Sequence, residues 1–202
     1  ERTHAGLVAG IDEAGRGPWA GPVVAAAVIL DPENMPEGLA DSKTLSEKRR
    51  EEIAIVIREK AMVGVGLASV EEIDEINILQ ATFLAMARAE AALPATPDIC
   101  IVDGSQKPKL NARAAMVVKG DAKSLSIAAA SIIAKTARDE MMRALAKDHP
   151  FYGWEKNKGY GAPAHRAPPL QVHREQPVDR LHVARRVEEV PVVLRVGVHH
   201  PE

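Results

Sequence analysis

The sequence predicts a mixed α/β fold: one five-stranded sheet flanked by helices, followed by a C-terminal tail of different character. Three observations carry this expectation. Five short apolar runs have strand length, three longer segments repeat apolar residues at helical spacing, and the two kinds alternate as β-β-α-β-α-β-β-α. With 202 residues, 46% of them hydrophobic, the chain has enough apolar side chains for one core and too many for a disordered chain.

The elements follow in order. Gly6 to Ile11 reads as a short buried strand and Pro22 to Leu30 as a second, nearly continuous apolar one. Ser46 is positioned to cap a helix that places Ile53, Val56, Ile57 and Ala61 on one face. Met62 to Ala68 forms a third strand, and a helix from about Val70 to Leu93 carries the stripe Ile76, Leu79, Phe83 and Met86. Pro94 and Pro97 end that helix. "DICIVDG" and "AAMVVKGD" supply strands four and five. A long Ala-rich helix from about Ser124 to Lys147 aligns Ile133, Ala137, Met141 and Leu145.

Composition narrows the function classes. The single cysteine, Cys100, lies in an apolar run, so neither a disulfide framework nor a cysteine-based zinc site is available. No apolar run reaches the roughly 18 residues of a membrane span, and "ERTHAG" lacks the layout of a secretory signal, so the expected location is cytoplasmic and no membrane partner is expected. The chain opens on Glu1 instead of Met, which reads as a trimmed N-terminus or a frame that starts upstream. A net charge of -2 gives no global sign of a nucleic-acid binder, yet Lys107, Lys109, Arg113, Lys119 and Lys123 cluster with Asp121 as the one acid among them. Lys156 and Lys158 flank a later loop. Any one of these lysines is equally at home on a solvated surface.

The acids are more informative. Asp12 and Glu13 stand side by side at the expected end of the first strand, Asp103 ends the fourth, and Asp121 follows the fifth at the entrance to the long helix. In an open sheet, the ends of strands are where a crevice forms. Carboxylates gathered there repel one another unless a cation sits among them. An all-oxygen set suits Mg²⁺ or Mn²⁺ rather than zinc, and four acids can hold two such ions roughly 3.5 to 4 Å apart, an arrangement suited to in-line displacement at phosphorus. Taken singly, Asp121 is also explained as a turn or cap residue. For two adjacent acids to serve one site the strand must bend or end there, because neighbouring side chains on a regular strand face opposite ways.

The blocks "GIDEAGRGPWAGPVVAAAVI", "DSKTLS", "IVDG", "KGDAKSLSIAAASIIAKTARDE" and "KGYG" resemble, in order and spacing, the signature blocks of bacterial ribonuclease HII, over about residues 6 to 165. The resemblance implies a ribonuclease H-like fold. It implies an endoribonuclease that cuts the RNA strand of RNA/DNA hybrids, and cuts 5′ to a lone ribonucleotide in duplex DNA, leaving 3′-hydroxyl and 5′-phosphate ends. Asp12, Glu13, Asp103 and Asp121 would hold the metals, and Gly15, Arg16 and Gly17 would read the 2′-hydroxyl at the RNA-DNA junction. Tyr160 would pack on the adjacent deoxyribose. The expected partners are nucleic acid and two divalent ions, Mg²⁺ or Mn²⁺, and the expected state is a monomer.

These roles suit the residue types. Glycines at 15 and 17 let the backbone approach a sugar hydroxyl, the one group distinguishing ribose from deoxyribose, although a lone Gly-x-Gly is also a plain turn. Tyr160 in "NKGYGAP" is either a flat stacking surface or a partly buried loop tyrosine. Lys43 in "DSK" would contact a phosphate, or is an ordinary lysine before a helix. Asp139 reads as an ion-pair partner, His165 as a surface histidine, and Trp19 and Trp154 as packing residues. Two other classes compete. A small-molecule phosphatase would also use clustered acids but has no need of a sugar reader beside them, and a non-cleaving hybrid binder would favour basic residues over four acids.

The family pattern breaks near His165. Residues 166 to 202 contain 6 Arg, 9 Val, 4 of the chain's 7 His, and neither lysine nor aromatic residue, whereas all 11 lysines precede residue 159. The expected division is a catalytic domain over 1–165 and a divergent tail over 166–202, the tail arising from a shifted reading frame or from a lineage-specific extension. The valines at 190, 192, 193 and 196 give that tail a strand-like, adhesive stretch.

Overall fold

The computed structural model describes residues 6–39, 42 and 44–161. Its elements are β1 (Val8–Ala14), β2 (Val23–Leu30), α1 (Glu47–Lys60), β3 (Ala61–Ala68), α2 (Val70–Ala91), β4 (Ile99–Asp103), β5 (Arg113–Val117), α3 (Leu125–Asp148) and a one-turn α4 (Trp154–Asn157). Two short 3-10 turns, Gly120–Ala122 and Pro150–Tyr152, bracket α3. The strands form one mixed sheet in the order β3-β2-β1-β4-β5. The centre of the sheet is β1, antiparallel to β2 and parallel to β4.

Helices cover both faces. Ile11, Cys100 and Val102 pack with Ala81, Ala85 and Met86 of α2 on one face. On the other, Ala26 and Val28 meet Ile53 and Ile57 of α1 and Ile132 and Ile133 of α3. The end of α3 closes a third cluster with Val24, where Tyr152 stacks on the buried Trp154 at 5.0 Å between centroids. No helix among the described residues is long and apolar enough to cross a membrane.

Local signals place the helix starts. The Ser46 hydroxyl accepts from the Arg49 amide at 3.2 Å, and the Ser124 hydroxyl from the Ile127 amide at 3.3 Å. Ser69 and Glu72 form a reciprocal capping box. The continuous helix expected over residues 70–93 is broken within α2: Asn77 adopts φ 68 and ψ 163. Its side-chain oxygen accepts from the Leu79 and Gln80 amides at 3.0 and 3.2 Å, so Asn77 caps the second half of the helix.

Strand β1 also differs from expectation. It does not end at the acids but continues through them, because β2 stays paired as far as Ala14↔Val24 while β4 stops at Ile11↔Val102. Strand alternation therefore sends Gly10 and Asp12 toward α3, and Ile11 and Glu13 toward α2. Gly10 is what lets α3 close on this face: a Cβ there would lie 2.2 Å from the Ser126 carbonyl carbon.

Candidate active site

Asp12, Glu13 and Asp103 come within electrostatic reach of one another where β1 outruns β4. Asp12 is 5% exposed beneath α3. One of its oxygens accepts the Glu13 amide at 2.7 Å, and the Ser131 hydroxyl of α3 also hydrogen-bonds its carboxylate. Burial, then the neighbouring Glu13 charge, and to a smaller extent Asp103, push the Asp12 carboxyl up to about 8. Glu13 is raised too, chiefly by burial, against the opposing pull of Arg16, whose Nη1 lies 3.2 Å from Oε1. Asp103 Oδ1 accepts the Gly120 amide at 2.7 Å, which ties the end of β4 to the turn carrying Asp121. Asp121 Oδ1 accepts the Ala122 amide at 3.0 Å.

Among the described residues, no three acidic, histidine or cysteine side chains converge into a finished metal cage. Asp12, Asp103 and Asp121 each accept from a nearby backbone amide, and Glu13 accepts from Arg16. Their donor set is nonetheless all oxygen, and the hydrogen bonds from Ser131 and the Glu13 amide offset only part of the burial penalty on Asp12, which is the chemistry that a hard divalent ion fits.

Two cavities open at this point. One of about 530 Å³ is lined by Gly15, Gly17, Ser42, Ser131, Lys135 and Tyr160 among others. A second, of about 240 Å³, includes Asp103, Ser105, Phe83 and Met86. Glu13 and Arg16 line both, and the break in α2 gives Ile78 to the first and Leu79 to the second.

The Gly15 to Gly17 segment forms the wall beside Glu13. Gly15 has φ +113, and a Cβ there would sit 2.5 Å from the Pro22 carbonyl oxygen, so both its conformation and its surroundings demand glycine. A Cβ on Gly17 would stand 3.6 Å from the Tyr160 ring, which places the half-exposed tyrosine over this segment. The chain that follows Gly17 and the chain that precedes Tyr160 are tied together by Arg138 of α3, 1% exposed. Its guanidinium donates to the Pro22, Lys158 and Ala20 carbonyls at 3.0, 2.9 and 2.9 Å. The Trp19 amide adds a bond to the Gly159 carbonyl at 2.9 Å.

Sequence reasoning missed Arg138 and Ser131. Both lie in register with apolar α3 positions, Ile127, Ala134, Met141 and Leu145, so polar groups on a buried helical stripe were the available signal. Asp139 pairs with Lys135 and Arg50, in keeping with its expected role. Trp154 is buried as expected, but Trp19 is 62% exposed, its ring lying beside Gly161. Lys43 and His165 lie outside the described residues.

Two consequences are measurable. The folded protein keeps a proton on Asp12 that the unfolded chain releases near 3.8, so this group makes metal-free stability greatest below pH 4 and progressively lower up to about 8. Asp12→Asn removes that slope, and above pH 8 it raises Tm by several degrees, at roughly 2–4 °C for each kcal/mol regained. The difference between the two pH profiles is the quantity to measure by thermal melts, because Glu72, held low by Arg88, contributes with the opposite sign. Arg138→Leu leaves buried carbonyls without donors, at about 1–3 kcal/mol each, and urea unfolding is expected to show a loss of that order.

Comparisons with known proteins identify the family and the fold. The family model described as Ribonuclease HII matches residues 9–186. A ribonuclease HII from Jannaschia sp. (strain CCS1) is 58% identical over 168 residues, 83% of this chain and 84% of the relative. Among solved structures, ribonuclease H2 from Pyrococcus horikoshii OT3 superposes with a TM-score of 0.73 at 29% identity, covering 91% of this chain and 97% of that one. A structure of Bst-RNase HIII in complex with Mn²⁺ gives a TM-score of 0.72 at 25% identity, covering 88% and 65%. The mixed five-stranded sheet with its flanking helices is the fold of these ribonucleases. The chain belongs to the ribonuclease HII family, and is thus an enzyme of the ribonuclease H class.

Proposed function

We propose that this enzyme cleaves the RNA strand of RNA/DNA hybrids, and cuts 5′ to a single ribonucleotide embedded in duplex DNA, by two-metal-ion hydrolysis. The observation that carries the reading is the buried Asp12 beside Glu13 and Asp103, with Gly15, Gly17 and Tyr160 lining a cavity that Glu13 also lines. Asp12, Glu13, Asp103 and Asp121 would hold Mg²⁺ or Mn²⁺; the Mn²⁺ in the similar Bst-RNase HIII structure supports this assignment. When bound, the ions lower the pKa of an attacking water and stabilise the leaving oxygen.

The chain's own residues do the rest. The water oxygen bonds to phosphorus as the bond from phosphorus to the 3′ oxygen breaks, so one product keeps a 3′-hydroxyl and the other a 5′-phosphate. Backbone at Gly15 to Gly17 would bond the 2′-hydroxyl, and Tyr160, fixed over Gly17, would present its ring to the next deoxyribose. Arg16 balances Glu13 until the site is loaded. Because the two cavities share Glu13 and Arg16, sugar reading and phosphate placement occur at one point. Lys43 is assigned to a phosphate on sequence grounds alone. The catalytic unit is assigned to 1–165 and a divergent tail to 166–202, arising from a shifted reading frame or from a lineage-specific extension; resequencing that finds the frame intact there would remove the first of these.

The test is a DNA duplex with one internal ribonucleotide, offered with Mg²⁺, with Mn²⁺ and with chelator. Metal-dependent cutting on the 5′ side of the ribonucleotide, abolished by Asp12→Asn, is the expected result. No cutting with either metal would contradict the function.

A further inference from the structure

A line of buried polar groups runs from α1 to the Asp12 carboxylate. Ser131 and Ser42, 4% and 3% exposed, face each other with their hydroxyl oxygens 2.8 Å apart. Ser131 lies on α3 and hydrogen-bonds Asp12, whereas Ser42 belongs to the connection between β2 and α1. Arg50 of α1 secures that connection by donating to the Ser42 carbonyl at 2.6 Å and the Leu45 carbonyl at 3.2 Å. The second Nη of Arg50 lies 3.8 Å from Asp139 Oδ2, so the guanidinium is itself held from α3.

The chemistry gives this line a direction. Once Asp12 gives up its proton to take a cation its carboxylate can only accept, so in that state the Ser131 proton points at Asp12 and the Ser131 oxygen is left to accept the Ser42 proton. A serine pair with a purely structural role could be replaced by two alanines at little cost, because removing both partners of a hydrogen bond is close to neutral. Here the pair ends on a carboxylate that already accepts the Glu13 amide, and its second contact restricts how the group can rotate.

We infer that Ser131 is a positioning residue that holds the Asp12 carboxylate in the orientation needed to take a divalent ion, and that Ser42 sets the direction of the Ser131 hydroxyl. This rests on the reading that Asp12 is a metal ligand. Outer-shell partners of this kind are typically worth 10- to 100-fold in metal affinity.

The experiment is calorimetric titration of Mn²⁺ into the whole metal-free protein. Ser131→Ala is expected to weaken binding by about 10-fold or more, and Ser131→Thr to restore most of the loss. Ser42→Ala is expected to weaken binding less, and the double alanine variant no more than Ser131→Ala alone, because the two act through one chain. In cleavage assays the Mn²⁺ concentration giving half the maximal rate is expected to rise for Ser131→Ala by the same factor as the binding constant falls, and Ser131→Thr to bring it back. A folded Ser131→Ala that binds Mn²⁺ as tightly as the unaltered protein overturns the inference. Should that variant not fold, Ser42→Ala decides in the same way. Asp12→Asn separates the two levels: if it binds Mn²⁺ normally, the metal-ligand reading fails, and if it alone is weakened, only the role of Ser131 fails.

Discussion

The structure depends on the burial of one carboxylate. Asp12 sits in the central strand, covered by α3, with Glu13 and Asp103 adding their charge to the cost of desolvation. That burial is possible because Gly10, two residues earlier on the same face, lets the start of α3 approach β1 without a Cβ in the way. Ser131 then reaches Asp12 from α3, and Arg138, seven residues further along the helix, reaches the loop that carries Gly15 to Gly17. One helix thus sets the geometry of both the acid and the wall beside it.

The sheet arrangement turns two adjacent residues into a site with two sides. Asp12 faces α3 and Glu13 faces α2, and only because the parallel partner β4 stops early does the space between them open to solvent. Glu13 and Arg16 stand on the ridge between the two cavities. Asn77 breaks α2 at this level, so that Ile78 and Leu79 form opposite walls instead of continuing one regular face. The proposed function makes use of such a ridge, since on that proposal the sugar to be read and the phosphate to be cut are neighbours on one strand.

Much of this was legible in the sequence. Apolar runs revealed all five strands, and Ser46 and Ser124 marked helix starts that the structure uses as caps. The position of the acids pointed to one site, and the structure brings Asp12, Glu13 and Asp103 within electrostatic reach of one another. What could not be read depended on long-range contacts. Strand β1 outlasts its expected end because β2 goes on pairing with it, a fact absent from its own residues. Asn77 looks like a polar position on a helix, and only its backbone conformation shows that it is a cap. Arg138 and Ser131 look like ordinary helix residues until α3 is placed on β1. Trp19 was expected to pack, but the loop that holds its backbone leaves most of its ring in solvent.

The central claim is that Asp12 is a buried acid whose charge requires a cation. Carboxyl-carbon NMR on protein with labelled aspartate, with Asp12→Asn to assign the signal, measures this directly. In the metal-free protein the Asp12 signal should titrate near 8, and saturating Mg²⁺ should shift its midpoint below the ordinary carboxylate range. A midpoint close to 3.8 without metal, unchanged when Mg²⁺ is added, would contradict the account.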